Sequence, residues 1–336
     1  GKTKNVTANV ENILSAPQIT ISEVTGNSFK INVENNYPEG AITEYKYLIG
    51  ETVKQQGTTD KNYTVTGLLE ETEYSNIKVI AYMNSSSKDS NTEKVTTEMK
   101  DEIAYTWDEI AEMAKAISND NSITDDSETA TVNGKTLKVG QMKKLDGKKV
   151  RILGFNHDEL AEPTVAYDTA TLTGKAGISF EYVDFLTEAG MNSSNSNSGG
   201  WKASALRETL NGTIYNSLSI KNNIKKVKKD YIPTYNVAST QQTEDYLWLL
   251  SGGEIWRDGW IPEGKQYEYY KKNLGSTSDS SLTDITKKPN AKNSNWWWLR
   301  SPHYRNSTAF YVVYRNGDCY NYDAKISGGV APGFSI

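Results

Sequence analysis

From Pro17 to Glu98 the chain alternates apolar and polar residues in short runs. Residues 18–24, 28–33, 42–49, 62–66, 74–82 and 94–98 each carry the period-two pattern of a strand. Phe29, Ile31 and Val33 alternate with Lys30 and Asn32, as expected where one face of a strand meets a core and the other meets water. Turn-forming clusters at 25–27, 35–40, 57–60 and 84–90 separate the runs. Residues 1–16 show no period and read as a linker.

At Tyr105 the period lengthens. Trp107, Ile110, Ala111, Ala114 and Ile117 share one helical face behind a capping box of Thr106 and Glu109. A hairpin follows over 129–139, turning at Asn133-Gly134, and 149–155 reads as a strand. Phe180, Val183, Asp184 and Leu186 predict a helix ending near Gly190. Trp201, Ala205, Leu206 and Leu210 predict another, broken at Asn211-Gly212 and resumed by Ile214, Tyr215 and Leu218. The basic run 221–229 has Ile224 and Val227 at helical spacing and reads as a solvated helix face. Residues 246–250, 296–299 and 310–314 read as buried strands, and 252–292 as loop-rich.

Composition narrows the functional classes. A net charge of −5 over 336 residues gives no global field for nucleic acid, and no apolar run approaches the length that would insert in a membrane. One cysteine, Cys319, excludes an internal disulfide framework, and two histidines, His157 and His303, form no metal-binding pair, so neither metal nor cofactor is expected. Gly1 followed by Lys-Thr-Lys-Asn looks like a trimmed start. The expectation is an exported, surface-associated protein that has lost its signal or anchor.

Two resemblances organise these elements. Val-Thr-Gly-Leu-Leu-Glu-Glu-Thr-Glu-Tyr, ending at Tyr74, resembles the corner of fibronectin type III domains, with Leu68 or Leu69, Thr72 and Tyr74 on the pattern. It implies a seven-stranded sandwich over 17–98, with the Tyr74 hydroxyl bonded to nearby backbone and Phe29 or Ile31 in place of the family's usual Trp. Further on, Thr-Trp-Asp-Glu-Ile-Ala at Thr106, a strand ending Phe-Asn-His-Asp at Asp158, Trp-Trp-Leu-Arg-Ser-Pro at Trp297 and Gly-Gly-Val-Ala-Pro at Gly328 occur in order. Together they resemble an uncharacterised surface domain of Gram-positive gut bacteria, related to the C-type lectin-like fold. The architecture implied is multidomain: an all-β fibronectin type III sandwich, then an α+β lectin-like domain over 101–336.

The candidate site lies near the C-terminus. An apolar frame encloses residues 303–323, which are rich in Tyr, Asn and Ser, the composition of a recognition surface. The window contains no Lys, Glu, Gln, Met or Trp. That alphabet resembles the variable repeat of lectin-like proteins diversified by retroelements. Tyr304, Asn306, Tyr314, Asn316, Tyr320, Asn321 and Tyr322 are therefore expected to cluster on one exposed face, with Arg305 and Arg315 as anchors. The triple Trp296-Trp297-Trp298 reads as core, because adjacent strand residues point to opposite faces. Trp256 and Trp260 sit in a polar, glycine-flanked stretch and are a second candidate for ligand contact. His157-Asp158-Glu159 and the pair Glu254 and Asp258 are titratable, yet no nucleophile accompanies them, so no catalytic residue is assigned. The expected activity is binding of a protein or glycan ligand on a host or bacterial surface. The alternatives are a carbohydrate-active or other hydrolytic enzyme, and a structural surface or pilus component.

Overall fold

A computed structural model describes residues 15–37, 40–99, 101–161, 173–256, 261–274, 296–315 and 317–336. The chain divides into two compact units, 1–100 and 101–336; most of the expected linker lies outside the described residues.

The first unit carries β1 (Gln18–Ser22), β2 (Phe29–Glu34), β3 (Glu44–Ile49), β4 (Thr52–Thr58), β5 (Asn62–Val65), β6 (Glu73–Met83), β7 (Ser86–Asp89) and β8 (Glu93–Thr96). One sheet runs β1-β2-β5. The other runs β4-β3-β6, with β7 and β8 both pairing along the long β6. The inward residues Phe29, Ile31, Tyr47, Ile77 and Val79 are fully buried. Phe29 and Ile31 thus fill the space anticipated for them. The Leu69 backbone N–H donates to the Tyr74 hydroxyl at 2.9 Å, which closes the tyrosine corner. This strand order and corner make the unit a fibronectin type III-like β-sandwich. Two strands escaped the periodicity: β4, left unassigned apart from its end in the 57–60 turn, and β7, read as part of the 84–90 turn, expose most of their residues. As edge strands they are held by backbone pairing to β3 and β6, which leaves no alternation to detect.

The second unit opens with α1 (Trp107–Ser118), whose Thr106–Glu109 capping box is formed. Next come the hairpin β9 (Thr129–Val132) and β10 (Lys135–Lys138), turning through Asn133 and Gly134 at positive φ. Then follow β11 (Met142–Leu145), β12 (Lys148–Phe155), β13 (Ile178–Tyr182) and β14 (Thr187–Ala189). The last two replace the helix expected from Phe180 to Gly190. Phe180 is fully buried in the middle of a sheet, and β13 reads Ile-Ser-Phe-Glu-Tyr, a period-two alternation whose polar members are also buried, Ser179 against Asp158 and Glu181 against Arg151 and Tyr270. The helix at Trp201 is discontinuous: α2 (Ala205–Thr209) and α3 (Tyr215–Ser217) flank a π turn at Leu210–Ile214, which spans the Asn211-Gly212 break.

The basic run is not a helix face. It leads into β15 (Val227–Tyr231), paired with β16 (Gln241–Asp245), and buries Lys229. The remaining elements are β17 (Leu247–Trp248), α4 (Gly252–Trp256), α5 (Glu268–Leu274), β18 (Trp297–Pro302), β19 (Ala309–Val313), β20 (Cys319–Asp323), β21 (Gly328–Val330) and β22 (Gly333–Ser335). Two five-stranded sheets form the body, β11-β12-β13-β22-β17 and β14-β21-β18-β19-β20. β-sheet therefore dominates both units.

The C-terminus is internal to the first of these sheets. β22 lies between β13 and β17, and Phe334 stacks on Phe180 with ring centres 5.2 Å apart. Gly328 and Gly329 explain part of the C-terminal marker. A Cβ on Gly328 would fall 2.0 Å from the Trp296 ring, and one on Gly329 would fall 2.2 Å from Phe185. Bare backbone at both positions lets those rings lie flat against β21.

Candidate ligand-binding site

The site is built on β18, β19 and β20. Every residue of β18 and β19 is buried, including Trp297, Trp298 and Leu299, while β20 forms the edge of its sheet and is only partly covered. Register places Tyr311 opposite Asn321 and Val313 opposite Cys319 on one face. Val312 opposite Tyr320 and Phe310 opposite Tyr322 lie on the other.

The loop joining β18 to β19 is pinned from below. Asn197 is fully buried; its side-chain amide donates to the carbonyls of Asn306 (2.8 Å) and Ala309 (3.0 Å), and its backbone N–H donates to Ser307. A second loop docks alongside, where the Asn236 N–H donates to the Tyr304 carbonyl at 2.9 Å. The loop is thus held as a platform.

Above it, the His303 ring sits between Tyr304 and Tyr311, with centroids 5.4 and 4.8 Å away. The Arg305 backbone N–H donates to His303 Nδ1 at 3.3 Å, so the neutral ring carries its proton on Nε2. Burial, and then the Arg305 charge, lower the His303 pKa and favour that neutral form. His303, Tyr304, Tyr311, Cys319, Tyr320 and Asn321 line an open cleft of about 440 Å³. Tyr304 is 44% exposed and Tyr320 55%.

The expected cluster on a single face therefore divides. Tyr304 and Asn321 belong to the cleft. Tyr320 reaches it from the rim, because a period of two turns Tyr320 and Tyr322 away from Asn321. On that opposite face an aromatic row runs from Tyr314 to Tyr320, then Tyr322, then Trp296, at successive centroid distances of 5.8, 5.6 and 4.4 Å. Tyr314 and Tyr322 are half-buried and packed against the core. Asn306 is not free for a ligand through its oxygen, which accepts from the Thr308 N–H at 3.0 Å and faces the Thr308 hydroxyl at 2.8 Å. Arg305 and Arg315 are exposed, their guanidinium groups resting over the rings of Tyr304 and Tyr314 at 4.7 and 5.5 Å. Trp256 is a core residue at 3% exposure, which corrects its assignment as a contact residue: α4 turns its ring inward. Trp260, Asn316 and Asp258 lie outside the described residues.

Sequence reasoning passed over His303, Tyr311 and Cys319 as lining residues. Tyr311 stands in the apolar run Ala-Phe-Tyr-Val-Val and reads as core, and only the folded-back loop opens a cleft beside it. Tyr235, 39% exposed in the docked loop, was also passed over.

A second cluster of chemistry lies around His157, Asp158, Lys175, Lys229, Glu254 and Lys265, which border a smaller pocket of about 160 Å³. Lys229 Nζ bridges Asp158 (2.7 Å) and Glu254 (2.6 Å), and Glu254 makes a two-point pair with Arg300 at 2.6 and 3.0 Å. Asp158 also accepts from Tyr267, Ser179 and Ser335. Burial pushes the Asp158 carboxyl up, but Lys229 and His157 outweigh it and hold the group well below the usual carboxylate range. Glu254 is likewise lowered, Arg300 and Lys229 overcoming its burial. Glu263 is the exception: burial outweighs Arg300 and raises its carboxyl to about 7. Asp158, Lys229, Glu254 and Arg300 each face an opposite charge, which compensates their burial. The two sequence markers Asn-His-Asp and Leu-Arg-Ser-Pro meet in this cluster.

A family described as a domain of unknown function, DUF6273, matches residues 173–336. No curated protein matches the sequence. Similar solved structures include titin domains A168–A170 (23% identity, 25% of this chain and 32% of that one, TM-score 0.22). A Yersinia enterocolitica family 28 exopolygalacturonase gives 18% identity over 26% of this chain and 21% of that one, TM-score 0.23. The fibronectin type III domain of human fibronectin type III domain containing protein 3 gives 18% identity over 27% and 93%, TM-score 0.23. The chain thus spans about a third of the titin fragment and a fifth of the exopolygalacturonase.

Proposed function

We propose that this chain is a surface-displayed binding protein in which a fibronectin type III-like spacer carries a C-type lectin-like head. The observation that carries the reading is the cleft beside β20. Exposed Tyr304 and Tyr320 stand over a platform fixed by the buried Asn197 and by the fully buried strands β18 and β19. Rigid support beneath large amphipathic side chains lowers the entropic cost of capturing a ligand. The lectin-like assignment is supported by a sheet that encloses the C-terminal strand and by placement of the cleft on the C-terminal strands and loop. The ligand class is a protein or glycan on a host or bacterial surface. The restricted alphabet of residues 303–323 supports diversification of this face between related chains.

The test is capture of surface glycans and proteins on an array by the full chain and by its Tyr304→Ala/Tyr320→Ala variant. Both rings are substantially exposed, so the expected outcome is loss of capture with an unchanged melting temperature. Undiminished capture by the variant would move the binding function elsewhere.

A further inference from the structure

The cleft's charge differs from that of the chain. The protein as a whole is net acidic at −5, yet among the described residues no carboxylate lines the cleft. Arg305 lies over the lining Tyr304, whereas Arg315 lies over Tyr314 on the opposite face of β20. Among the described residues neither guanidinium has an Asp or Glu partner within 4 Å. Asp323, on the same strand as the lining residues, is occupied by Thr308 and Asn195. These two rest on aromatic faces, which orients the planar fork without neutralising it.

The walls beside Arg305 are amphipathic. Tyr304 and Tyr320 offer ring faces together with hydroxyls, Tyr311 is nearly buried, Asn321 offers an amide, and His303 offers a ring whose neutral form keeps a proton on Nε2. Ring faces suit the C–H faces of a sugar, and the polar tips suit its hydroxyls. The Arg305 cation suits a carboxylate or sulfate substituent, which guanidinium binds through two parallel hydrogen bonds.

We infer that the cleft selects an anionic saccharide, one whose sugar ring lies against Tyr304 and Tyr320 while its carboxylate or sulfate pairs with Arg305. This rests on the cleft being the ligand site. The full chain would be titrated calorimetrically with sialylated, glucuronylated and sulfated oligosaccharides, each beside its neutral counterpart lacking the acid group. Acidic peptides would form a separate arm. The expected result is binding of at least one charged sugar, weaker by about tenfold or more for its neutral counterpart, as for loss of a charge-assisted hydrogen bond. Arg305→Gln should cause a loss of similar size for the charged sugar and none for the neutral one, Arg315→Gln on the opposite face should leave both unchanged, and added salt should weaken only the charged complex.

Equal binding of charged and neutral sugars, abolished by Tyr304→Ala/Tyr320→Ala, would overturn the anionic requirement and leave the cleft as the site. Binding confined to acidic peptides would overturn the saccharide. Charged-sugar binding that survives the double tyrosine substitution would overturn both this inference and the reading it rests on.

Discussion

Replacing Lys229 with Met tests whether the buried network holds the second unit together. Methionine keeps most of the stem that packs over Trp248, where the ammonium sits 4.4 Å from the ring centre, but removes the charge. Asp158 and Glu254, both nearly inaccessible, would then lose a cation at 2.7 and 2.6 Å. Breaking a buried pair on one side costs roughly 3–5 kcal/mol. Here the orphaned groups keep other donors, Tyr267, Ser179 and Ser335 on Asp158 and Arg300 on Glu254. That places the expected loss at the lower end, about 3 kcal/mol, or about 6–12 °C in melting temperature for a unit of this size. All eight tryptophans lie beyond residue 100, so Trp fluorescence in the full chain reports unfolding of this unit alone. The loss should shrink on acidification, as the stranded carboxylates take up protons. Adding Asp158→Asn should cost less than the two single changes summed, because the groups are coupled. A loss below about 1 kcal/mol, or one independent of pH, would refute the reasoning, since surface-like screening gives values of that size.

Glu263 gives the opposite pH signature. Its folded carboxyl is raised to about 7, so the folded state binds more protons than the unfolded state between about pH 4.5 and 7, and stability falls as pH rises through that window. The shift corresponds to roughly 3 kcal/mol, and Glu263→Gln should flatten the melting temperature over the same range; an unchanged slope would assign it to another group. Tyr74→Phe should destabilise the fibronectin type III-like unit by about 1 kcal/mol through loss of the bond from the Leu69 N–H, read by circular dichroism in denaturant, and a neutral result would remove the corner from the stability of that unit. Deleting residues 330–336 takes β22 from the inside of its sheet along with Phe334, so the second unit should fail to fold; cooperative Trp-reported melting of the truncated chain would contradict the role given to this strand.

The sequence by itself determined whatever rests on local chemistry. Phe29, Ile31 and Val33 alternate because one face of β2 meets a core, and Thr106 with Glu109 caps α1 through bonds spanning three residues. The Asn133-Gly134 turn, the tyrosine corner and the burial of Trp201, Leu210, Trp297 and Phe334 likewise follow from patterns within a short window. Tertiary structure decided what depends on distant neighbours. Lys229 looks solvated in its basic run, yet Asp158 and Glu254 make its burial tolerable from 71 and 25 residues away along the chain. Phe180 lies in a strict local alternation, Ile-Ser-Phe-Glu-Tyr, that signals a strand, but that its polar members Ser179 and Glu181 are buried too follows from Asp158, Arg151 and Tyr270 meeting them. The cleft divides the same way. Its Tyr and Asn composition is legible, but which of them line it follows from the register of β20 against β19 and from Asn197 holding a loop more than a hundred residues away. Register turns Tyr320 from Asn321, and no local pattern encodes which strand lies alongside.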